Sequence, residues 1–153
     1  MAISAKGVSQ PIICPRRANV GGDFYRRECL QNGLLPFIQQ HYPQGEYIFW
    51  PDLAAAHYAR QMIALLEEAD VPYVGGEENP PCVPQLRPIK DLWGIVKQEV
   101  YMGGWTARSE KQLRLRIHRV MRSLDKEVLH KMMGTLPARV RRAARLGVNS
   151  AVH

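Results

Sequence analysis

The pattern of apolar and polar positions predicts alternating strands and helices in the first hundred residues. Short apolar runs at 8–14, 47–50 and 71–75 are rich in β-forming residues, which is typical of strands. Longer segments at 22–40 and 54–69 carry apolar residues three or four positions apart, which is typical of helices. Strands joined by helices favour parallel pairing, so the order predicts an α/β fold.

Proline and glycine predict where this order is interrupted. We expect Gly33 and Pro36 to break or kink the first long helix, with Asp23 as its N-cap. The proline-rich loop at 75–88 should be irregular, because proline excludes helical hydrogen bonding there. Pro88 suits the first turn of the helix that follows the loop.

The C-terminal quarter predicts helices with one apolar and one polar side. Residues 109–124 place five apolar side chains on one face, and a serine stands at the N-cap position. Two further helical pieces, 125–133 and 137–146, should be separated by Gly134 and Pro137.

Positive charge is concentrated in this quarter of the chain. The formal net charge is +7, but residues 108–146 alone hold twelve Lys/Arg and three acidic residues. Such asymmetry indicates a polyanion partner, usually nucleic acid; the alternative is a solvated helical face. The arginines that can contact phosphates lie around two of the predicted helices: Arg114, Arg116, Arg119, Arg122, Arg139, Arg141, Arg142 and Arg145.

Other features of the composition exclude several classes of protein. No apolar run approaches the ~18–20 residues of a membrane span, and the apolar patch near the N-terminus is too short for a signal peptide. Cys14, Cys29 and Cys82 are widely spaced and odd in number, so we expect reduced thiols in an intracellular protein.

Asp52 stands where the apolar run at 47–50 gives way to an alanine-rich helix. It can cap that helix, or it can hold a metal ion at the C-terminal end of a strand, where open α/β sheets bind ligands. One carboxylate is weak evidence for a metal site, since two-metal phosphoryl-transfer sites need several carboxylate oxygens. His57, one turn later, can contact a phosphate, stabilise Asp52 or pack internally.

Two blocks of the sequence resemble the catalytic domain of mariner-superfamily (DDE/D) transposases. In the first block, IFWPDLAAAHYA, the apolar strand ends in Asp52, and Ala54, His57 and Ala59 follow in the family's register. The second block, NPPCVPQLRPIKDLWG, matches the family's Asn-Pro-Pro loop and the helix start after it, with Leu92-Trp93 at its end. The likeness runs from about residue 2 to residue 147.

This resemblance implies a ribonuclease H-like fold, incomplete here: a mixed sheet with flanking helices and a C-terminal basic helical segment. Residues 1–105 would be the partial catalytic domain and residues 106–153 the basic segment of the same domain. Family enzymes act in the nucleus, where they cut and join DNA with three carboxylates and two Mg²⁺ or Mn²⁺ ions. Asp52 would be the second of these carboxylates.

The sequence departs from the family pattern at the other two carboxylates. The first has no counterpart, because the chain begins inside the hairpin that follows it in the family; this suggests an N-terminally truncated domain. The third falls on Lys90, whose ammonium would repel a divalent ion. Asp91 is a poor substitute, since one helical step turns a side chain by ~100°. We therefore expect no DNA cleavage or strand transfer.

The same departures leave several functions open. The resemblance favours an inactive, transposase-derived protein that binds DNA. Alternatives are a co-opted DNA/RNA-binding or protein-interaction module without catalysis, and a non-functional relic. A missing first strand would also expose the edge of the run at 47–50, so self-association through that edge is expected.

Overall fold

The computed structural model describes residues 1–15, 21–81 and 83–147. Cys29 is a half-buried free thiol, Cys14 is half-buried, and Cys82 lies outside the described residues.

The chain divides into two compact units, each of which is described by itself. Unit 1 consists of Met1 and Ile12–Cys82, and unit 2 consists of Ala2–Pro11 and Val83–His153. No helix in the described part of the chain is long and apolar enough to cross a membrane.

Unit 1 contains a continuous helical segment, so the chain does not break at Gly33 and Pro36, but its hydrogen-bond pattern changes there. The segment comprises α1 (Gly22–Phe24), a π-helix (Tyr25–Leu34) and α2 (Leu35–His41). The N–H of Leu35 donates to the carbonyl five residues back. This wider turn changes the hydrogen-bond register just before Pro36, which therefore falls in the first turn of α2, where proline is tolerated.

The start of this segment also differs from the prediction. Gly21, not Asp23, occupies the N-cap position, and no side chain caps the helix. Asp23 lies in the first helical turn, where a negative charge still complements the helix dipole.

The second helix of unit 1 starts later than predicted. A short 3₁₀-helix (Ala55–Tyr58) precedes α3 (Arg60–Glu68), and Ala59 between them is extended, with φ −62° and ψ 142°. Met62 and Leu66 are buried on the inner face of α3. They lie four residues apart, as expected for the apolar stripe of a helix.

The two predicted strands of unit 1 pair only at one residue each. Phe49 and Tyr73 form a parallel bridge, so the predicted parallel direction is observed. The N–H of Phe49 donates to the Pro72 carbonyl at 2.8 Å, and the N–H of Val74 donates to the Phe49 carbonyl at 2.9 Å. Pro51 and Pro72 have no N–H to donate, which limits the ladder on both sides.

Unit 2 contains a small antiparallel hairpin of β1 (Ile3–Ser4) and β2 (Gly7–Val8). The predicted strand at 8–14 is therefore wrong beyond Val8, because Pro11 cannot continue a ladder. Within the described residues, β-pairing consists of this hairpin in unit 2 and the single bridge in unit 1, which is less than the expected mixed sheet.

The helices of unit 2 are α4 (Pro88–Val100), α5 (Glu110–Arg122) and α6 (Lys126–Leu146), and α4 packs against both of the others. A 3₁₀-helix (Pro84–Leu86) precedes α4, and a 3₁₀ turn (Met102–Gly104) follows it. The buried core side chains of this unit come mainly from these helices: Leu86, Leu92, Val100, Val120, Met121 and Leu129.

Two predicted helix starts in unit 2 are confirmed. Pro88 is the first residue of α4. Ser109 caps α5, since its hydroxyl oxygen accepts a hydrogen bond from the Gln112 N–H at 3.2 Å. Both are local signals that depend only on neighbouring residues.

The predicted separation of the last two helical pieces is wrong. α6 continues through Gly134 and Pro137 without interruption. The buried side chains Leu129 and Ala143 lie on either side of Pro137, so packing holds both halves on the same surface. The Thr135 hydroxyl donates to the Met132 carbonyl at 2.9 Å, which partly satisfies the backbone near the proline.

Candidate functional site

Asp52 lies on the surface of unit 1, and its side chain does not cap a helix. One carboxylate oxygen accepts a hydrogen bond from the N–H of Leu53 at 2.7 Å. The N-cap positions of the 3₁₀-helix and of α3 are Ala54 and Ala59. The helix-cap interpretation is therefore wrong, because the carboxylate bonds to the N–H of Leu53, which precedes the first helical residue.

His57 is held beside Asp52 by two contacts. Its Nδ1 lies 2.8 Å from the backbone carbonyl oxygen of Asp52. Its ring stacks on Tyr25, with centroids 4.4 Å apart. Burial, followed by the nearby Cys29 and Asp52, raises the pKa of Tyr25 well above its usual range. His57 thus contacts the backbone of Asp52 and packs against Tyr25, and its contact with a phosphate stays a prediction.

Asn79 is the residue that sequence reasoning underused. The sequence identifies Asn79 only as part of the Asn-Pro-Pro motif, yet the residue is almost fully buried, with 2% of it exposed. Its oxygen accepts from Trp50 Nε1 at 2.8 Å, and its nitrogen donates to the Pro51 carbonyl at 2.8 Å and to the Tyr58 hydroxyl at 2.6 Å. Asn79 therefore ties the loop to the chain on both sides of Asp52.

The described residues do not fit a metal site. No group of three His, Cys, Asp or Glu side chains is arranged to hold an ion anywhere in 1–15, 21–81 or 83–147. Divalent ions used in phosphoryl transfer require several oxygen ligands. Asp52 alone supplies one carboxylate, so no chemical step through a metal is derived for this chain.

Lys90 and Asp91 stand at the start of α4 in unit 2, and their side chains have different surroundings. Lys90 is exposed. Asp91 forms an ion pair with Arg139 of α6, with 2.9 Å between Oδ2 and Nη1. The Arg139 guanidinium also donates to the backbone carbonyl of Gln85. Asp91 therefore joins α4 to α6.

Three of the eight candidate arginines are engaged within unit 2. Arg114 pairs with Glu110, one turn earlier, at 2.7 Å. Arg116 donates to the backbone carbonyls of Val100 and Glu99 and lies over the Trp105 ring, 5.2 Å from its centroid. Arg139 is the third, and only 18% of its side chain is exposed. Arg116 and Arg139 therefore join their helices to neighbouring elements, whereas Arg114 is paired within α5.

The other five candidate arginines are exposed and form no hydrogen bond or ion pair with any described residue. Two lie on the outer side of α5, and three lie near the C-terminal end of α6, where they line a shallow open concavity with Ala138 and Leu146. No acidic residue occurs between Glu127 and Gly147. We call the surface formed by Arg141, Arg142 and Arg145 the α6 basic face.

Comparison with known proteins identifies the fold through solved structures. The chain matches no protein-family model and no curated protein. It is similar to the crystal structure of the catalytic domain of Mos1 mariner transposase, with a TM-score of 0.78 and 17% identity over 97% of this chain and 71% of that chain.

Two further structures of the Mos1 transposase catalytic domain are similar to this chain. The first, with raltegravir and Mg, has a TM-score of 0.77 and 18% identity, covering 94% of this chain and 71% of that chain. The second, with raltegravir and Mn, has a TM-score of 0.76 and 18% identity, covering 94% and 72%. The chain thus shares the fold of the C-terminal part of the mariner transposase catalytic domain, which confirms at the level of fold the resemblance carried by the Asp52 and Asn-Pro-Pro blocks.

Proposed function

We propose that this chain is a transposase-derived protein that binds duplex DNA and does not cut or join it. The observation that carries the proposal is the set of five exposed, unpaired arginines on α5 and α6 of a transposase-like fold. Because this role requires contact with DNA, we propose the nucleus as its location.

The α6 basic face suits the phosphate backbone of DNA. Arg142 and Arg145 are three residues apart, so their side chains project from neighbouring turns on one side of the helix. The last acidic residue of α6 is Glu127 in its first turn, so no carboxylate on the helix competes for the guanidinium groups. Arginines in this arrangement bind phosphates without regard to sequence and release counterions on binding.

The outer side of α5 offers a second basic surface. Lys111, Arg119 and Arg122 are exposed, and they lie on the side opposite the buried Val120 and Met121. Glu110, the acidic residue in the first turn of α5, is paired with an arginine at 2.7 Å. Both helices thus present to solvent some cations that have no acidic partner among the described residues.

The proposed lack of catalysis rests on the small number of carboxylates that could bind a metal ion. Asp52 is the one acidic residue that matches the family triad, and Lys90 stands at the third position. Mg and Mn are present in Mos1 structures with the same fold. An ammonium at a ligand position repels such an ion, so the site would not assemble.

Self-association through the short pairing edge near Phe49 is a further proposal.

DNA binding can be tested with two double variants of equal charge change. Arg142→Ala with Arg145→Ala removes two of the five proposed arginine contacts, whereas Arg27→Ala with Arg60→Ala removes two exposed arginines of unit 1. Fluorescence anisotropy with a blunt-ended duplex, measured at several salt concentrations, gives affinity and salt slope. The α6 variant should lower the slope of log K against log salt by about 1.8.

The control variant should change the slope much less. Failure of the wild type to bind duplex at low salt, or equal losses in both variants, would contradict the proposal.

Catalysis is tested separately by nicking of supercoiled plasmid in Mg²⁺ or Mn²⁺. Cleavage that disappears in Asp52→Ala would overturn the proposed inactivity.

A further inference from the structure

α4 carries a surface in which aromatic and basic side chains alternate. Trp93 is 58% exposed, although tryptophan is a highly buried residue type on average. Tyr101, just after the helix, is 48% exposed. Lys90 and Lys97 are also exposed. We call this surface, which belongs entirely to unit 2, the α4 outer face: Lys90, Trp93, Gly94, Lys97 and Tyr101.

Helical spacing places these residues on one side of α4. At ~100° per residue, positions 90, 93, 94, 97 and 101 fall within an arc of about 100°. The buried residues Leu92 and Val100 lie outside this arc. No acidic residue shares the face, since Asp91 points to a different side and is paired with Arg139.

An exposed tryptophan between two lysines favours ligands that combine an aromatic ring with negative charge. Trp93 forms no hydrogen bond or ring contact with any described residue, and the two lysines form no ion pair. Aromatic faces next to cations bind unpaired nucleobases by stacking while the cations meet the phosphates. In a duplex the bases are already stacked, so such a surface has no access to their faces.

The geometry of the face also supports a short run of nucleotides. Trp93 and Tyr101 are eight residues apart, or about 12 Å along the axis. The Tyr101 ring lies 6.5 Å from that of Trp105, which extends the aromatic surface beyond the helix. A Cβ added at Gly94 would meet no atom within 4 Å, so the surface between the two rings is open.

We propose that the α4 outer face binds single-stranded nucleic acid, with Trp93 and Tyr101 stacking on unpaired bases and Lys90 and Lys97 contacting phosphates. The lysine that replaces the third family carboxylate would then be a phosphate contact. This site is separate from the α6 basic face and does not rest on duplex binding by the arginines.

Gly94 allows a matched test that removes no contact. Gly94→Glu and Gly94→Gln place side chains of the same size in open space, and only the glutamate repels phosphates. Both replace a helical glycine, so neither should impair folding. Binding of a 15-nucleotide oligothymidylate to the full chain is measured by anisotropy with EDTA present. Gly94→Glu should bind several-fold more weakly than Gly94→Gln.

Trp93→Ala provides the second variant, and the equally exposed Ile48→Ala in unit 1 is its control. Loss of one stacked base corresponds to roughly 1–3 kcal/mol, or about a 5- to 150-fold weaker affinity for the oligothymidylate. Trp93→Phe should retain most of the affinity, and quenching of tryptophan fluorescence by the oligonucleotide should be smaller in that variant. Ile48→Ala should match the wild type.

Duplex binding, measured on the same samples, separates this proposal from the proposed function. Trp93→Ala should leave the duplex affinity unchanged, whether or not that affinity is high. Absence of oligothymidylate binding, or equal affinities of Gly94→Glu and Gly94→Gln, would overturn the proposal. Dimerisation that Trp93→Ala abolishes, without oligonucleotide binding, would assign the face to a second copy and overturn it as well.

Discussion

The side-chain nitrogen of Asn79 donates a hydrogen bond of 2.8 Å to the backbone carbonyl of Pro51, 28 positions earlier in the chain. This bond joins the Asn-Pro-Pro loop to the residue before Asp52. The Asn79 oxygen accepts a hydrogen bond from Nε1 of Trp50, the residue before Pro51. The two motifs that carry the family resemblance are therefore connected by one buried amide, whose contacts a shorter side chain cannot make.

Replacement of Asn79 should destabilise unit 1. Asn79→Ala removes the three hydrogen bonds that this buried amide makes with Trp50 Nε1, the Pro51 carbonyl and the Tyr58 hydroxyl. The Tyr58 hydroxyl keeps its bond to the Val74 carbonyl. Loss of a hydrogen bond to a buried polar group costs about 1–3 kcal/mol, so the free energy of unfolding should fall by roughly 2–4 kcal/mol. Urea denaturation measures this change.

Asn32→Ala is the matched control for this prediction. Asn32 is exposed and bonds to Glu28 at 3.3 Å, so its loss should change the free energy of unfolding by less than about 0.5 kcal/mol. Similar losses in the two variants would show that the buried amide has no special role.

Arg139 should contribute to stability, unlike the arginines of the α6 basic face. In Arg139→Ala, the Gln85 carbonyl loses a donor and Asp91 loses its ion pair. Since Asp91 is half exposed, most of the expected loss of about 1–2 kcal/mol comes from the carbonyl. Arg142→Ala should be nearly neutral. Urea unfolding of both variants compares them, and a larger loss in Arg142→Ala would contradict the assignment.

Stability should fall in alkaline solution because of Tyr25 and Cys29. Burial raises the pKa of both groups in the folded chain. The unfolded chain releases these protons near pH ~8.5 for cysteine and ~10 for tyrosine, while the folded chain keeps them. The unfolded state then binds fewer protons, so the free energy of unfolding decreases as pH rises through this window and beyond, until the folded groups also ionise.

Tyr25→Phe isolates the tyrosine part of this effect. The variant should lose less stability than the wild type between about pH 9.5 and 11, because no phenol remains to ionise in its unfolded state. Urea denaturation at a series of pH values provides the comparison. Parallel curves for the two proteins would argue against a raised pKa of Tyr25.

Pro137 should reduce the stability of α6. It lies inside the helix, where it lacks the N–H that would bond to the Met133 carbonyl. Pro137→Ala restores that bond at a small entropic cost in the unfolded chain, so we expect a gain of about 1–2 kcal/mol. Pro84→Ala, at the first position of a 3₁₀-helix, should instead lose up to about 1 kcal/mol. A thermal melt gives the change in melting temperature of each variant. Changes in the same direction in the two variants would contradict this explanation.

Signals that act between neighbouring residues were predicted correctly from the sequence. Pro88 starts α4, and Ser109 caps α5. The parallel direction at Phe49 and Tyr73 also follows from the order of elements. These features depend on backbone preferences and side-chain bonds within a few residues, which the sequence states directly.

Other features depend on contacts that the sequence leaves open. Packing of both halves of α6 outweighs the local penalty of Pro137, and a π turn brings Pro36 into a tolerated position. Local capping rules favoured Asp52 as a cap, but its carboxylate bonds instead to the N–H of Leu53.

The sequence by itself determined the motifs that resemble a transposase, the single matching carboxylate at Asp52 and the excess of positive charge near the C-terminus. Only the tertiary structure decided which charges remain available. Arg139 reaches Asp91, 48 positions away, whereas the α6 basic face has no partner among the described residues. Trp93 likewise points to solvent because the inner side of α4 is already filled by Leu92 and Val100. The physical reason is that burial and pairing depend on distant residues, whose positions no local pattern specifies.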